Sequence, residues 1–164
     1  MGETVFSFSA RPKDLNEFKA LPESAMTRPE ETAALTALAL CYYPLDKELS
    51  LSMLSFLKGP KELSPMEEQF IRDRFMDKDY VPRSYFDGAS PENDYTPTEP
   101  YTIRVSDNPH SYEEENYAKI FLTSSGADSP RFVRLRLAKD GKWYLWEQFL
   151  LSDIRKPASS DPWA

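Results

Sequence analysis

The apolar positions of this chain change period once. Up to about residue 78 they recur every three or four residues, and after about residue 101 they alternate. The first spacing builds one face of a helix and the second one face of a strand. Leu15, Phe18 and Leu21 predict a short amphipathic helix at about 12–20, with Pro12 suited to its first turn and Pro22 ending it. Thr27-Arg28-Pro29-Glu30 has the form of a capping box, a hydroxyl at the N-cap and a carboxylate three residues on. The run ETAALTALALCYY that follows is apolar on almost every side, as in a central, buried helix. Asp46 caps a third helix at about 47–58, striped by Leu49, Met53, Phe56 and Leu57 and ended by Gly59-Pro60. Ser64-Pro65-Met66-Glu67 repeats the capping-box logic. It opens a fourth helix, about 65–77, whose stripe of Met66, Phe70, Ile71 and Phe75 is expected to be core.

The alternating part predicts four strands. Tyr101, Ile103 and Val105 face one way in the first, and Ala118, Ile120 and Leu122 in the second, about 117–124. Val133, Leu135 and Leu137 do so in the third, about 131–138. Asp140-Gly141 signals a two-residue hairpin to the fourth. That turn would set Leu137 opposite Tyr144, Leu135 opposite Trp146 and Val133 opposite Gln148. On the other face Arg136 would meet Leu145, Arg134 would meet Glu147 and Phe132 would meet Phe149, the opposite charges favouring this register. Thr4–Ser9 also alternates and reads as an edge strand or an extended arm. Trp163, in the polar tail 157–164, is expected to dock. Helices followed by strands predict an α+β domain spanning 1–164, with N-terminal helices packed on one face of a curved antiparallel meander sheet of about four strands.

Between the halves lies YVPRSYFDGASPENDYTPTEPY, residues 80–101, too long for an ordinary connection and rich in tyrosine and proline. Tyrosine carries an apolar body and a hydrogen-bonding tip, so Tyr85, Phe86 and Tyr95 are candidate ligand-binding residues; the bland reading is a wrapping loop that buries its rings. The second candidate is SSGADSPR, residues 124–131, where Gly126 permits a tight turn and Asp128 an Asx-turn. Asp128, Arg131 and Arg134, with Arg136, could hold an anion; Trp146 on the last hairpin is a further candidate ligand-binding residue, and Trp143 would be covered by an arginine stem.

Charge narrows the partners. Net charge is −7, and all of it belongs to residues 1–100, which carry 11 Lys+Arg against 18 Asp+Glu. Neither nucleic acid nor an anionic membrane surface is an expected partner. One cysteine, Cys41, excludes an internal disulfide, and its apolar setting suits a structural thiol rather than a nucleophile. The N-terminus lacks the pattern of a signal peptide, and no apolar run is long enough for a membrane span, so a cytoplasmic protein is expected. The single histidine, His110, sits in a turn-like Asn-Pro-His-Ser; no histidine-rich or CxxC metal site, calcium loop, P-loop or GxGxxG is present, and no cofactor is expected.

The segments AALTALALCYY, GPKELSPMEEQFIRDRFMDKDYVPRSYFDGASPENDYTPTEPY, SSGADSPRFVRLR and KWYLWEQFLLSDIRKP, with the DPWA ending, resemble a bacterial family of small proteins described only as a domain of unknown function. The resemblance spans roughly residues 30–164 and implies a compact domain but no reaction, cofactor or partner. The ending RLRLAKDGKWYLWEQ also looks like the last hairpin of the nuclear-transport-factor-2-like cone, a likeness of fold without function. Two functions stand at this point. One is a non-catalytic binding domain for a small molecule, a peptide or another copy of the chain, using the aromatic loop. The other is a small hydrolase or isomerase with Asp128, Glu147 or His110 as acid or base and Tyr85, Phe86 and Trp146 as its aromatic wall.

Overall fold

The computed structural model describes residues 2–163. Its strands are β1 (Glu3–Phe8), β2 (Tyr101–Ser106), β3 (Tyr117–Leu122), β4 (Arg131–Leu137) and β5 (Trp143–Gln148); its helices are α1 (Leu15–Lys19), α2 (Pro29–Cys41), α3 (Lys47–Lys58) and α4 (Pro65–Phe75). Among the described residues the strands form one open antiparallel sheet in the order β1-β2-β3-β4-β5. The α+β class therefore holds, with five strands instead of about four, because the N-terminal alternation is a true edge strand, Phe6 opposite Ile103 and Phe8 opposite Tyr101.

Helix caps follow local chemistry, with two displacements. Asp46 and Ser64 cap α3 and α4 as their sequences indicate. α1 begins later than expected, because Asp14 is the better cap and takes the Glu17 N–H at 2.8 Å, leaving Pro12 outside. At α2 the capping carboxylate is Glu31, not Glu30: it accepts from the Thr27 and Arg28 backbone N–H groups, and Pro29 opens the helix. Every residue of α2 from Thr32 to Leu40 is buried. α2 lies against β2, β3, β4 and β5, and its side chains meet Ile103, Val105, Ile120, Val133 and Leu135 in one core. Where it carries hydroxyls they are satisfied: Thr32 donates to the Trp143 carbonyl at 2.6 Å and Thr36 to the Thr32 carbonyl at 2.8 Å.

The last hairpin differs from the two-residue turn. Gly141, at φ +84°, donates to the Ala138 carbonyl, and Ala138 donates to the Lys142 carbonyl, so the loop has three residues and a left-handed glycine. Leu137 then faces Trp143, Arg136 faces Tyr144 and Leu135 faces Leu145. A bulge at Trp146 restores the expected pairs beyond it, Arg134 with Glu147 and Val133 with Gln148. The consequence is that Leu145 enters the core and Trp146 turns out to solvent.

The long connection is not an outer surface. Phe86 bridges Ile103, and the Asp87 N–H donates to the Thr102 carbonyl, so this segment takes the side of β2 that β3 leaves unpaired. The tail docks through Ile154 and Pro157; Trp163 is 93% exposed and does not dock.

Candidate functional site

The tyrosines of the 80–101 loop point inward and hold the segment after β5. Tyr80 donates to the Ile154 carbonyl at 3.3 Å, Tyr85 to the Leu150 carbonyl at 2.6 Å and Tyr95 to the Arg155 carbonyl at 2.6 Å. Tyr80 and Tyr95 stack with centroids 5.2 Å apart. Burial pushes both the Tyr85 and Tyr95 phenols up, the latter to about 12. Tyr85, Phe86 and Tyr95 are interior residues, so the aromatic surface expected of this loop is not formed by them. The loop is a clamp, and Arg83 fastens it from outside by donating to the carbonyls of Asp79, Asp94 and Tyr95.

The expected anion set does not assemble either. Arg131 donates to the carbonyls of Ser129, Ser152 and Asp153, again holding the C-terminal segment. Asp128 is 94% exposed and paired with Arg155. Arg134 and Arg136 lie on the outer face of the sheet, with guanidinium carbons 5.2 and 4.7 Å from the Tyr117 centroid, while Trp143 has the Tyr112 ring, not an arginine, against its edge. Arg134 also binds Glu114 and reaches Glu147 at 3.9 Å. For the enzyme alternative, Tyr85 and Phe86 are inside while Trp146 is outside, His110 pairs with Glu113, and among the described residues no carboxylate is buried.

What the chain does present is a groove of about 330 Å³ between α4 and β5. α4 rests on the body through Ile71 and Phe75, the latter stacked on Tyr43 at 4.4 Å. Met66 and Phe70, one turn apart, form a second apolar row along the groove; Met66 is 82% exposed. These two are exposed, not core, in contrast to the expectation from their spacing, because among the described residues no element lies over that side of α4. Across from them stand Trp146, turned out by its bulge, and Phe149, which packs on Phe132 at 4.7 Å. The floor is apolar: Leu54, Leu63 and Leu145.

The rim is polar and largely neutralised. Lys58 binds Glu67 and also reaches the Trp146 carbonyl at 3.4 Å. Burial raises the Glu67 carboxyl, but the bonds from Lys58 and Ser64 outweigh it and leave the group below its ordinary value. Trp146 is therefore the one residue of the sequence-derived set that lies in the groove; Glu147, one of the acid or base candidates, stands on its rim. Met66, Phe70 and Phe149 were not singled out as functional by their pattern. The usable signal was that WYLWEQF carries more large apolar side chains than one strand face can bury.

The family model of a domain of unknown function (DUF6935) matches residues 10–158, so the chain belongs to that family. No curated protein and no solved structure matches it, so the likeness to the nuclear-transport-factor-2-like cone has no support beyond the last hairpin and the element order. Among the described residues no helix is long and apolar enough to cross a membrane, and no cluster of His, Cys, Asp and Glu could hold a metal ion.

Proposed function

We propose that this member of the DUF6935 family is a non-catalytic binding domain that docks an apolar-faced segment of another polypeptide in the groove between α4 and β5. One observation carries the reading: four of the nine exposed large apolar side chains among the described residues, Met66, Phe70, Trp146 and Phe149, line this single groove. Scattered apolar residues are ordinary on a protein surface, whereas a contiguous patch with a polar rim marks an interaction site. Tryptophan is among the side chains that anchor such interfaces, and phenylalanine and methionine are enriched in them.

The geometry favours side-chain insertion over strand addition. β5 is an edge strand, but its first half is occupied, since the Trp143 N–H donates to the Met26 carbonyl and Thr32 donates to the Trp143 carbonyl. Its second half is broken by the Trp146 bulge and shielded by Lys58, two ordinary means of blunting a sheet edge. A partner would present apolar side chains to the socket, with no nucleic acid or membrane involved, as the net charge of −7 supports. The absence of a second cysteine fits a reducing, cytoplasmic setting.

The test is a displayed-peptide selection on the wild-type protein, counter-selected on Phe70→Asp. Enrichment of peptides with paired apolar anchors that bind the wild type and not the variant supports the proposal. Peptides that bind both equally, or no enrichment, contradict it. Sedimentation of the wild type across concentration separates this partner from a second copy of the chain, which would appear as a dimer lost in Phe70→Asp.

A further inference from the structure

We infer that the chain has a second, independent site, a pocket for a small monocarboxylate with an apolar body, at the C-terminal end of α2. The cavity is about 420 Å³, in the size range of small-molecule sites. Leu38, Pro44 and Leu45 supply its apolar wall, and Arg11, Arg83 and Tyr101 supply its polar groups.

The charges decide what fits. Arg83 uses three guanidinium N–H groups on the carbonyls of Asp79, Asp94 and Tyr95, which leaves two of its five donors. Among the described residues it has no ion-pair partner. Arg11 lies over the Tyr101 ring with its guanidinium carbon 4.3 Å from the centroid, and its charge is met by Glu99 at 3.1 Å. The carbonyl end of α2 opens here and disfavours an anion, but it amounts to about half a negative charge. One uncompensated guanidinium exceeds that. The balance is therefore a modest positive potential, suited to a single negative charge and too small for a phosphate dianion. The Tyr101 hydroxyl, with no hydrogen-bond partner among the described residues, adds a donor beside the guanidinium groups. Fork-shaped guanidinium donors and a phenol complement a carboxylate, and the leucines take the rest of the ligand.

Cys41 forms part of the wall and is not a nucleophile. Burial pushes its thiol up to about 12, against the opposing influence of Arg83 and Arg11.

The experiment titrates the full chain calorimetrically with octanoate and phenylacetate and, in parallel, with octanamide and phenylacetamide. The carboxylates are expected to bind at least about tenfold more tightly than the amides, the span of one charge-assisted hydrogen bond. Arg83→Gln tests the guanidinium but also loosens the loop that Arg83 fastens. Leu45→Asp avoids this, since Leu45 is 78% exposed and its side chain holds no other part of the fold in place; the aspartate removes part of the apolar wall and sets a repelling charge at the mouth. It should leave the melting temperature unchanged and weaken carboxylate binding severalfold. Absence of carboxylate binding at millimolar concentration, equal binding of acids and amides, or binding untouched by Leu45→Asp would each overturn the inference.

Discussion

The phenol of Tyr85 donates a 2.6 Å hydrogen bond to the carbonyl of Leu150, and both residues are buried. This bond joins the connection between helices and sheet to the segment that leaves the sheet. The bonds from Tyr95 to Arg155 and from Tyr80 to Ile154 run parallel to it in sense, and together they close the last segment over the core.

Removing that hydroxyl leaves a buried carbonyl without its partner. Tyr85→Phe is expected to lower stability by about 1–3 kcal/mol, the range for an unsatisfied buried acceptor. A urea titration measures it directly, and an unchanged midpoint would mean that the bond does not hold the segment.

Gly126 lies between the clamp and the segment it holds. A Cβ there would stand 2.2 Å from the Tyr95 hydroxyl oxygen and 2.7 Å from Ile154 Cγ2, and the Gly126 carbonyl accepts the Arg155 N–H at 2.9 Å. Gly126→Ala is expected to destabilise by about 1–3 kcal/mol through overpacking. Hydrogen exchange should show the loss concentrated at 150–157, since that segment must move to admit the methyl group; uniform loosening would contradict the assignment.

Much of this architecture is legible locally. Asp46 and Ser64 announce their helices because a cap is a contact over three residues, and Tyr101, Ile103 and Val105 announce a strand because alternation is a property of the strand itself. What is not legible depends on distant partners. The loop tyrosines look like a surface until the carbonyls of Leu150, Ile154 and Arg155 are brought to them. Met66 and Phe70 have the spacing of core residues, and only the absence of an element over them makes them a groove wall. Trp146 reaches the surface by a feature that its own segment does not announce: Asp140-Gly141 suggests a two-residue turn, and the three-residue loop with its compensating bulge sends the indole outward.

The buried phenols also set a pH dependence. Tyr95 titrates near 10 in the unfolded chain and is pushed up to about 12 in the fold, first by burial and then by the neighbouring Tyr80. Between those values the unfolded chain has lost a proton that the folded one keeps. Its contribution is thus complete below pH 10 and is lost as pH rises from 10 to 12. Tyr42 and Tyr144 are raised to about 12 as well, by burial and by the bond to Asp140 respectively, so Tyr95→Phe should flatten part of the slope. Urea midpoints for the wild type and Tyr95→Phe across this window check the sign and the share.

The account separates a clamp that stabilises from a groove that binds, and one paired measurement tests that separation. Phe70→Asp and Tyr85→Phe are compared for melting temperature and for affinity toward a peptide selected on the wild type. Phe70 lines the groove and is exposed, whereas Tyr85 is buried away from it. The expected result is that Phe70→Asp keeps the melting temperature and loses the peptide, while Tyr85→Phe melts lower and keeps it. A folded Tyr85→Phe that loses the peptide, with Phe70→Asp still binding, would contradict the account and return function to the loop.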